Sequence, residues 1–173
     1  MVWDNQVSIL YVGGSIYQAP GKYTGFNSAV DITLDNHFKL INNVAMPEWS
    51  LSLTLGEGSL FAGTQGYEGG LYYIQVKTPG ELSMPHLVIA SIPGMPLQPT
   101  CMQVNGESLY LGYRDIEAYN ITNPDQPVCT WVENLGGIVL KDFSVIGKQI
   151  YIFGWTISRC FELLCSNRGF SPR

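Results

Sequence analysis

The sequence predicts an all-β fold, a β-propeller or partial propeller of about three and a half to four four-stranded blades. Three observations carry this expectation. The chain of 173 residues is 46% hydrophobic and 13% charged, with 19 Gly and 10 Pro. Its charged fraction is about half the usual value, and glycine-rich, proline-rich, aromatic composition suits short strands joined by many turns. A short motif recurs four times. No segment shows sustained helical periodicity. A β-sandwich whose strands share Gly turns is the alternative architecture.

The motif is an aliphatic residue, an aromatic, a small or aliphatic residue, then Gly. It reads Leu10-Tyr11-Val12-Gly13, Leu60-Phe61-Ala62-Gly63, Leu109-Tyr110-Leu111-Gly112 and, with one extra residue, Ile150-Tyr151-Ile152-Phe153-Gly154. The spacing of its aromatics, roughly 40 to 50 residues, is the period of propeller blades. Three copies follow a strand and a tight Gly turn. Leu51–Leu55 runs into Gly56-Glu57-Gly58, Met102–Val104 into Asn105-Gly106, and Phe143–Ile146 into Gly147-Lys148. Strand, glycine turn, strand is the signature of a β-hairpin, whose favoured turns need positive φ.

Third and fourth strands follow the motif. They are expected at Leu71–Val76 and His86–Ser91, at Ile116–Asn120 and Val128–Val132, and at Ala29–Leu34 and Phe38–Ile41. The first repeat has almost nothing before Tyr11 to serve as an innermost strand. The last has a third strand, Arg159–Leu164, and no convincing fourth. The expected organisation is one propeller-like repeat domain over 1–165 and a polar tail over 166–173.

Two resemblances follow from these residues. Ile116 to Val128, with its Asn-Pro-x-x-Pro turn at Asn123-Pro124-Asp125-Gln126-Pro127, resembles the LVIVD repeat; Asn120 stands where that family usually has Asp. Gly147 to Gly154 is similar to the second strand of a kelch repeat, whose double glycine survives here only at Gly13-Gly14. Both families are β-propellers. The resemblance implies an interaction or scaffold role more than catalysis.

The net charge is −5, which disfavours nucleic acid, because phosphate binding needs clustered Lys and Arg. No stretch approaches the length of a membrane-spanning helix, and Met1-Val2-Trp3-Asp4-Asn5 lacks the basic and apolar regions of a signal peptide. The default expectation is therefore the cytoplasm, with no membrane partner. Cys101, Cys129, Cys160 and Cys165 form no C-x-x-C pair, and only two histidines, His37 and His86, accompany them. No metal site and no cofactor are expected. Cys101 and Cys129 read as small core residues, His37 as a turn residue, His86 as an exposed or hydrogen-bonded residue at a strand start, and Asn120-Ile121-Thr122 as an Asn turn. Gly56-x-Gly58 with Gly63 lacks the spacing of a dinucleotide loop and the helix that would follow one.

The candidate binding surface is aromatic. Tyr17, Tyr23, Tyr67, Tyr113 and Arg114, with Phe26 nearby, fall in or near the expected loops between second and third strands. The longest of these loops is expected from Gly13 to Gly25. Tyr and Arg on loops held by a rigid scaffold are typical of protein-binding surfaces. The first reading is thus a non-catalytic module that recognises a protein or peptide. One alternative is a glycosidase-like enzyme drawing on Asp31, Glu68, Asp115, Glu117 and Asp142, with Glu68 and Asp115 as acid and base about 5 to 10 Å apart. Another is a structural half-ring that assembles with a second chain, as a homodimer or as part of a larger propeller.

Overall fold

A computed structural model of the chain describes residues 1–19, 22–34, 37–56, 58–66, 69–90, 98–156 and 159–166. Within these, the side chains of 18, 19, 22, 23, 34, 37, 155, 156 and 159–166 are not described.

The strands are β1 (Val2–Asp4), β2 (Ile9–Ala19), β3 (Lys22–Leu34), β4 (His37–Met46), β5 (Trp49–Gly56), β6 (Ser59–Gln65), β7 (Gly70–Thr78), β8 (Glu81–Leu82), β9 (His86–Ala90), β10 (Cys101–Asn105), β11 (Ser108–Gly112), β12 (Asp115–Asn120), β13 (Val128–Asn134), β14 (Val139–Ile146), β15 (Gln149–Thr156) and β16 (Arg159–Ser166). They form four antiparallel sheets in chain order. These are β1-β2-β3-β4, then β5-β6-β7 with β8 and β9 both on β7, then β10-β11-β12-β13, then β14-β15-β16. The backbone clusters into two compact units, Met1–Pro99 and Thr100–Arg173, with two sheets in each. Within each unit the first strand of the later sheet packs against the earlier sheet, β5 on β1–β3 and β14 on β10 and β11. This is the all-β, blade-like packing of a partial propeller.

The hairpins form where expected. Gly106 and Gly147 open two-residue loops between register pairs Asn105–Ser108 and Ile146–Gln149, each with φ of +60°. Only glycine takes the first central position of such a turn without strain. Three expectations are corrected. A short innermost strand does precede Tyr11: β1 pairs Val2 with Tyr11 and Asp4 with Ile9. Gly13 to Gly25 is no loop, because β2 and β3 stay paired from Ile9–Asp31 up to Ala19–Lys22. His37 begins β4 and is not in a turn.

The motif sets which way each sheet faces. Side chains alternate along a strand, so in the first three copies the motif's aromatic and glycine share one face and its aliphatic pair the other. In the first unit Tyr11 and Gly13 face the second sheet. Tyr11 is fully buried, and its hydroxyl accepts from the Gly80 N–H at 3.4 Å, across the β7–β8 turn. The second sheet answers with Leu60 and Ala62, which join Ile9, Tyr11, Ala29, Val44 and Met46 in one core. In the second unit Tyr110 faces Phe143, Ile150 and Ile152 in the same way.

The motif glycines mark close approach. A Cβ on Gly13 would collide with Ser50 and Asn27, and one on Gly112 with Leu140 and Cys101. These two positions correspond, since Gly13 pairs with Asn27 and Gly112 with Ile116. Ser50 and Leu140 both precede a bulge in the first strand of the following sheet. The first unit therefore places a buried hydrogen-bonded pair, Ser50 Oγ donating to Asn27 Oδ1 at 2.9 Å, where the second places apolar Ile116 and Leu140. Gly14 serves the opposite face: the Phe26 ring lies over it and fills the space a side chain would take. The double glycine thus answers two packing demands, one on each side of β2.

Cys101 is buried as expected, but Cys129 is exposed on β13. Its strand is the outer one of its sheet, and Val128, Cys129 and Thr130 are all exposed along it. His86 is exposed at the start of β9. The Asn turn is present: Asn120 Oδ1 accepts from the Thr122 N–H at 2.9 Å.

Candidate functional site

Of the expected site residues, Tyr113 and Arg114 lie in the connection between the second and third strands of their sheet, and Tyr17 and Tyr23 lie on paired strands; each unit is described by itself. In the first unit Tyr17 sits on β2, 58% exposed, in register with Tyr23 of β3. Both therefore lie on a strand pair that projects as a hairpin, and the side chain of Tyr23 is outside the description. Tyr67 and Glu68 lie outside the described residues; the residues on either side of them are tied together. Thr64, fully buried, donates from Oγ1 to the Gly70 carbonyl at 3.2 Å and accepts from the Gly70 N–H at 3.0 Å. The Gly69 N–H donates to the Gly66 carbonyl at 3.2 Å. One hydroxyl holds both ends of the turn together.

Glu48 joins these two features. It lies in the connection from β4 to β5; its carbonyl rests against Gly25 of the hairpin and its carboxylate against Gly66 of the turn. Neither glycine has room for a Cβ there. The sequence reading missed Glu48. Its only trace is a glycine inside a strand at 25, the kind of residue that marks close approach of another backbone.

In the second unit the β11–β12 turn carries Tyr113 and Arg114. Tyr113 is half-buried, and its N–H donates to the Asp115 carbonyl at 3.1 Å. Arg114 is exposed, with its guanidinium carbon 5.5 Å from the centroid of the Tyr113 ring. That separation is within the range of a cation–π contact. The guanidinium keeps its donors in solvent while the ring restrains its position. The adjoining β13–β14 connection is fixed by the Gly136 N–H donating to Asn134 Oδ1 at 2.8 Å and by Ile138 N–H to the Leu135 carbonyl at 3.2 Å.

Of the described carboxylates on the enzyme alternative's list, Asp31, Glu117 and Asp142 are held by local bonds. Asp31 Oδ1 accepts from the N–H and hydroxyl of Thr33 at 2.8 and 2.7 Å, which lower its pKa. Glu117 accepts from the Tyr119 hydroxyl, and Asp142 from the Phe143 N–H at 2.8 Å. Among the described residues no group of three His, Cys, Asp or Glu side chains is placed to hold a metal ion, and no helix is long and apolar enough to cross a membrane. No protein-family model matches the chain, and no curated protein matches it.

Proposed function

We propose that the chain is a non-catalytic, propeller-like binding module that recognises a protein or peptide through residues on or beside the connections between second and third strands. Tyr17, Tyr23, Tyr67, Tyr113 and Arg114 are its contact residues. LVIVD repeats are the family we assign it to, on the Asn-Pro-x-x-Pro turn after β12, with kelch as second choice. The observation that carries the function is the exposed Arg114 guanidinium set over the Tyr113 ring on a turn closed by backbone hydrogen bonds. Such a pair offers a planar cation and an aromatic edge already ordered before binding, so recognition loses little side-chain entropy. An exposed arginine of this kind favours a carboxylate-bearing peptide, through paired N–H donors.

The test is selection of peptides from a random displayed library on the wild-type chain. Enriched acidic peptides that bind Tyr113→Ala and Arg114→Ala about tenfold or more weakly, with melting temperature little changed, support the assignment. Peptides that bind both variants as well as wild type place recognition elsewhere.

A further inference from the structure

Among the described residues, two buried side-chain atoms have no hydrogen-bond partner: Asn27 Nδ2 and Asn42 Oδ1. One is a donor and the other an acceptor. They stand on neighbouring strands of one sheet. Asn27 of β3 pairs with Val44 of β4, and Ala29 pairs with Asn42, with no bulge between these pairs. Asn27, Ala29, Val44 and Asn42 therefore share a face. It is the face turned toward the second sheet, because Ala29 and Val44 lie in the core that holds Leu60 and Ala62, and Asn27 bonds Ser50 of β5. Asn27 is fully buried there, and Asn42, on the outer strand, is half-buried. The two amides are diagonal neighbours in the register, positions about 7–8 Å apart. The other two corners of the quartet, Ala29 and Val44, are apolar, so their side chains satisfy neither amide.

We propose that this quartet is a binding site for one internal water molecule, which accepts from Asn27 Nδ2 and donates to Asn42 Oδ1. A water offers an acceptor and a donor together, so it answers both atoms at once. Buried amide groups left unpaired bear their full desolvation cost, and internal waters occupy places where two to four such groups converge. A water between two partners spans about 5–6 Å, a separation that two asparagine side chains on diagonal positions can present. The ligand is neutral. The quartet holds two amides and two apolar side chains, and an ion buried among them would lack the charged partner it requires. The water completes a polar line across the first unit. Ser50 Oγ of the second sheet donates to Asn27 Oδ1 at 2.9 Å, Asn27 donates to the water, and the water donates to Asn42 on the outer strand. β3 and β4 are then tied on both faces, because on the opposite face Ser28 Oγ donates to Asn43 Oδ1 at 3.0 Å. The site is independent of the peptide-binding reading.

A crystal structure of the full chain, at a resolution that shows ordered solvent, tests this directly. The expected result is one solvent atom within about 2.6–3.2 Å of both Asn27 Nδ2 and Asn42 Oδ1. In solution, water-selective nuclear Overhauser spectra should show a cross-peak from a long-lived water to the Asn27 side-chain NH2 protons. Asn42→Val removes the acceptor and leaves the Ser50–Asn27 bond in place, so the cross-peak should vanish from a chain that keeps its folded spectrum. Asn43→Val is the control. It alters the neighbouring residue, removes the Ser28 bond on the opposite face, and should keep the cross-peak. A direct Asn27–Asn42 hydrogen bond, or a protein group that takes the Asn27 Nδ2 donor in place of solvent, overturns the proposal. So does a wild-type chain without the cross-peak, a cross-peak that persists in Asn42→Val, or one lost equally in Asn43→Val. The wild-type crystal and spectra decide the question even where a variant fails to fold.

Discussion

Thr64 pairs with Ser50 between β5 and β6, and its side chain also ties β6 to the first residue of β7 across the turn between them. Its hydroxyl donates to one end of that turn and accepts from the same residue's N–H. The isosteric change Thr64→Val removes both bonds and leaves a buried N–H and a buried carbonyl with fewer partners. The expected loss is about 1–3 kcal/mol of stability, because unsatisfied buried groups cost their full desolvation. Denaturant unfolding measures it, and amide exchange at Gly69 and Gly70 should accelerate more than exchange in β5. A uniform acceleration across the first unit would show instead that Thr64 acts as ordinary core. Ser8 makes a related point about single residues. It is the one non-glycine among the described residues with positive φ, at +55°, and it closes the β1–β2 turn where later repeats use glycine. The first repeat's hairpin was hidden because its turn lacks the residue that signals one.

At the scale of strands and sheets, legibility followed the kind of physical demand each residue meets. Alternation and turn glycines are local, so the hairpins β5–β6, β10–β11 and β14–β15 could be read directly. The β2–β3 hairpin was misread because Gly13, Gly14 and the Pro20-Gly21 pair look like punctuation. Gly13 and Gly14 answer packing on two faces, a demand that exists only once the sheets are stacked. Gln103 is hidden for the same reason. Its amide donates to the Val145 carbonyl at 3.1 Å and its oxygen accepts from the Val145 N–H at 2.8 Å. Val145 belongs to β14, the edge strand of its sheet, whose outward backbone groups would otherwise be open. One side chain thus satisfies an edge and fixes β10 against β14. Gln103→Met keeps the length and removes both bonds, with an expected loss of about 1–3 kcal/mol. A change within a few tenths of a kcal/mol would mean that water replaces the amide and that apolar packing alone aligns the two strands.

For the whole chain, the buried acids govern how stability responds to pH. Burial pushes the Cys101 thiol up to about 12, raises the Tyr119 hydroxyl, which also donates to Glu117, and raises the Tyr11 hydroxyl. All three are neutral when protonated, so the folded state disfavours their ionised forms. Their unfolded values, 9.0 for the thiol and 10.0 for the hydroxyls, lie below the folded ones. Stability from these groups is therefore complete below pH 9 and is lost as pH rises toward the folded values, because only the unfolded chain then releases protons. Asp31 acts at the other end. Its pKa is lowered by the two Thr33 bonds, so its share is present above the unfolded carboxylate value and is lost as pH falls through the folded one. Denaturation midpoints should hold through neutrality and decline from about pH 9 upward. The first part of that decline should flatten in Cys101→Val, whose side chain cannot ionise. The same burial predicts the order of thiol reactivity. A pulse of alkylating reagent on the native chain at pH 8, mapped by peptide mass, should mark exposed Cys129 and spare Cys101 until denaturant is added. Equal marking of both in the native state would show that the sheet pair of the second unit opens as readily as its surface is reached, and the alkaline decline would then need another cause.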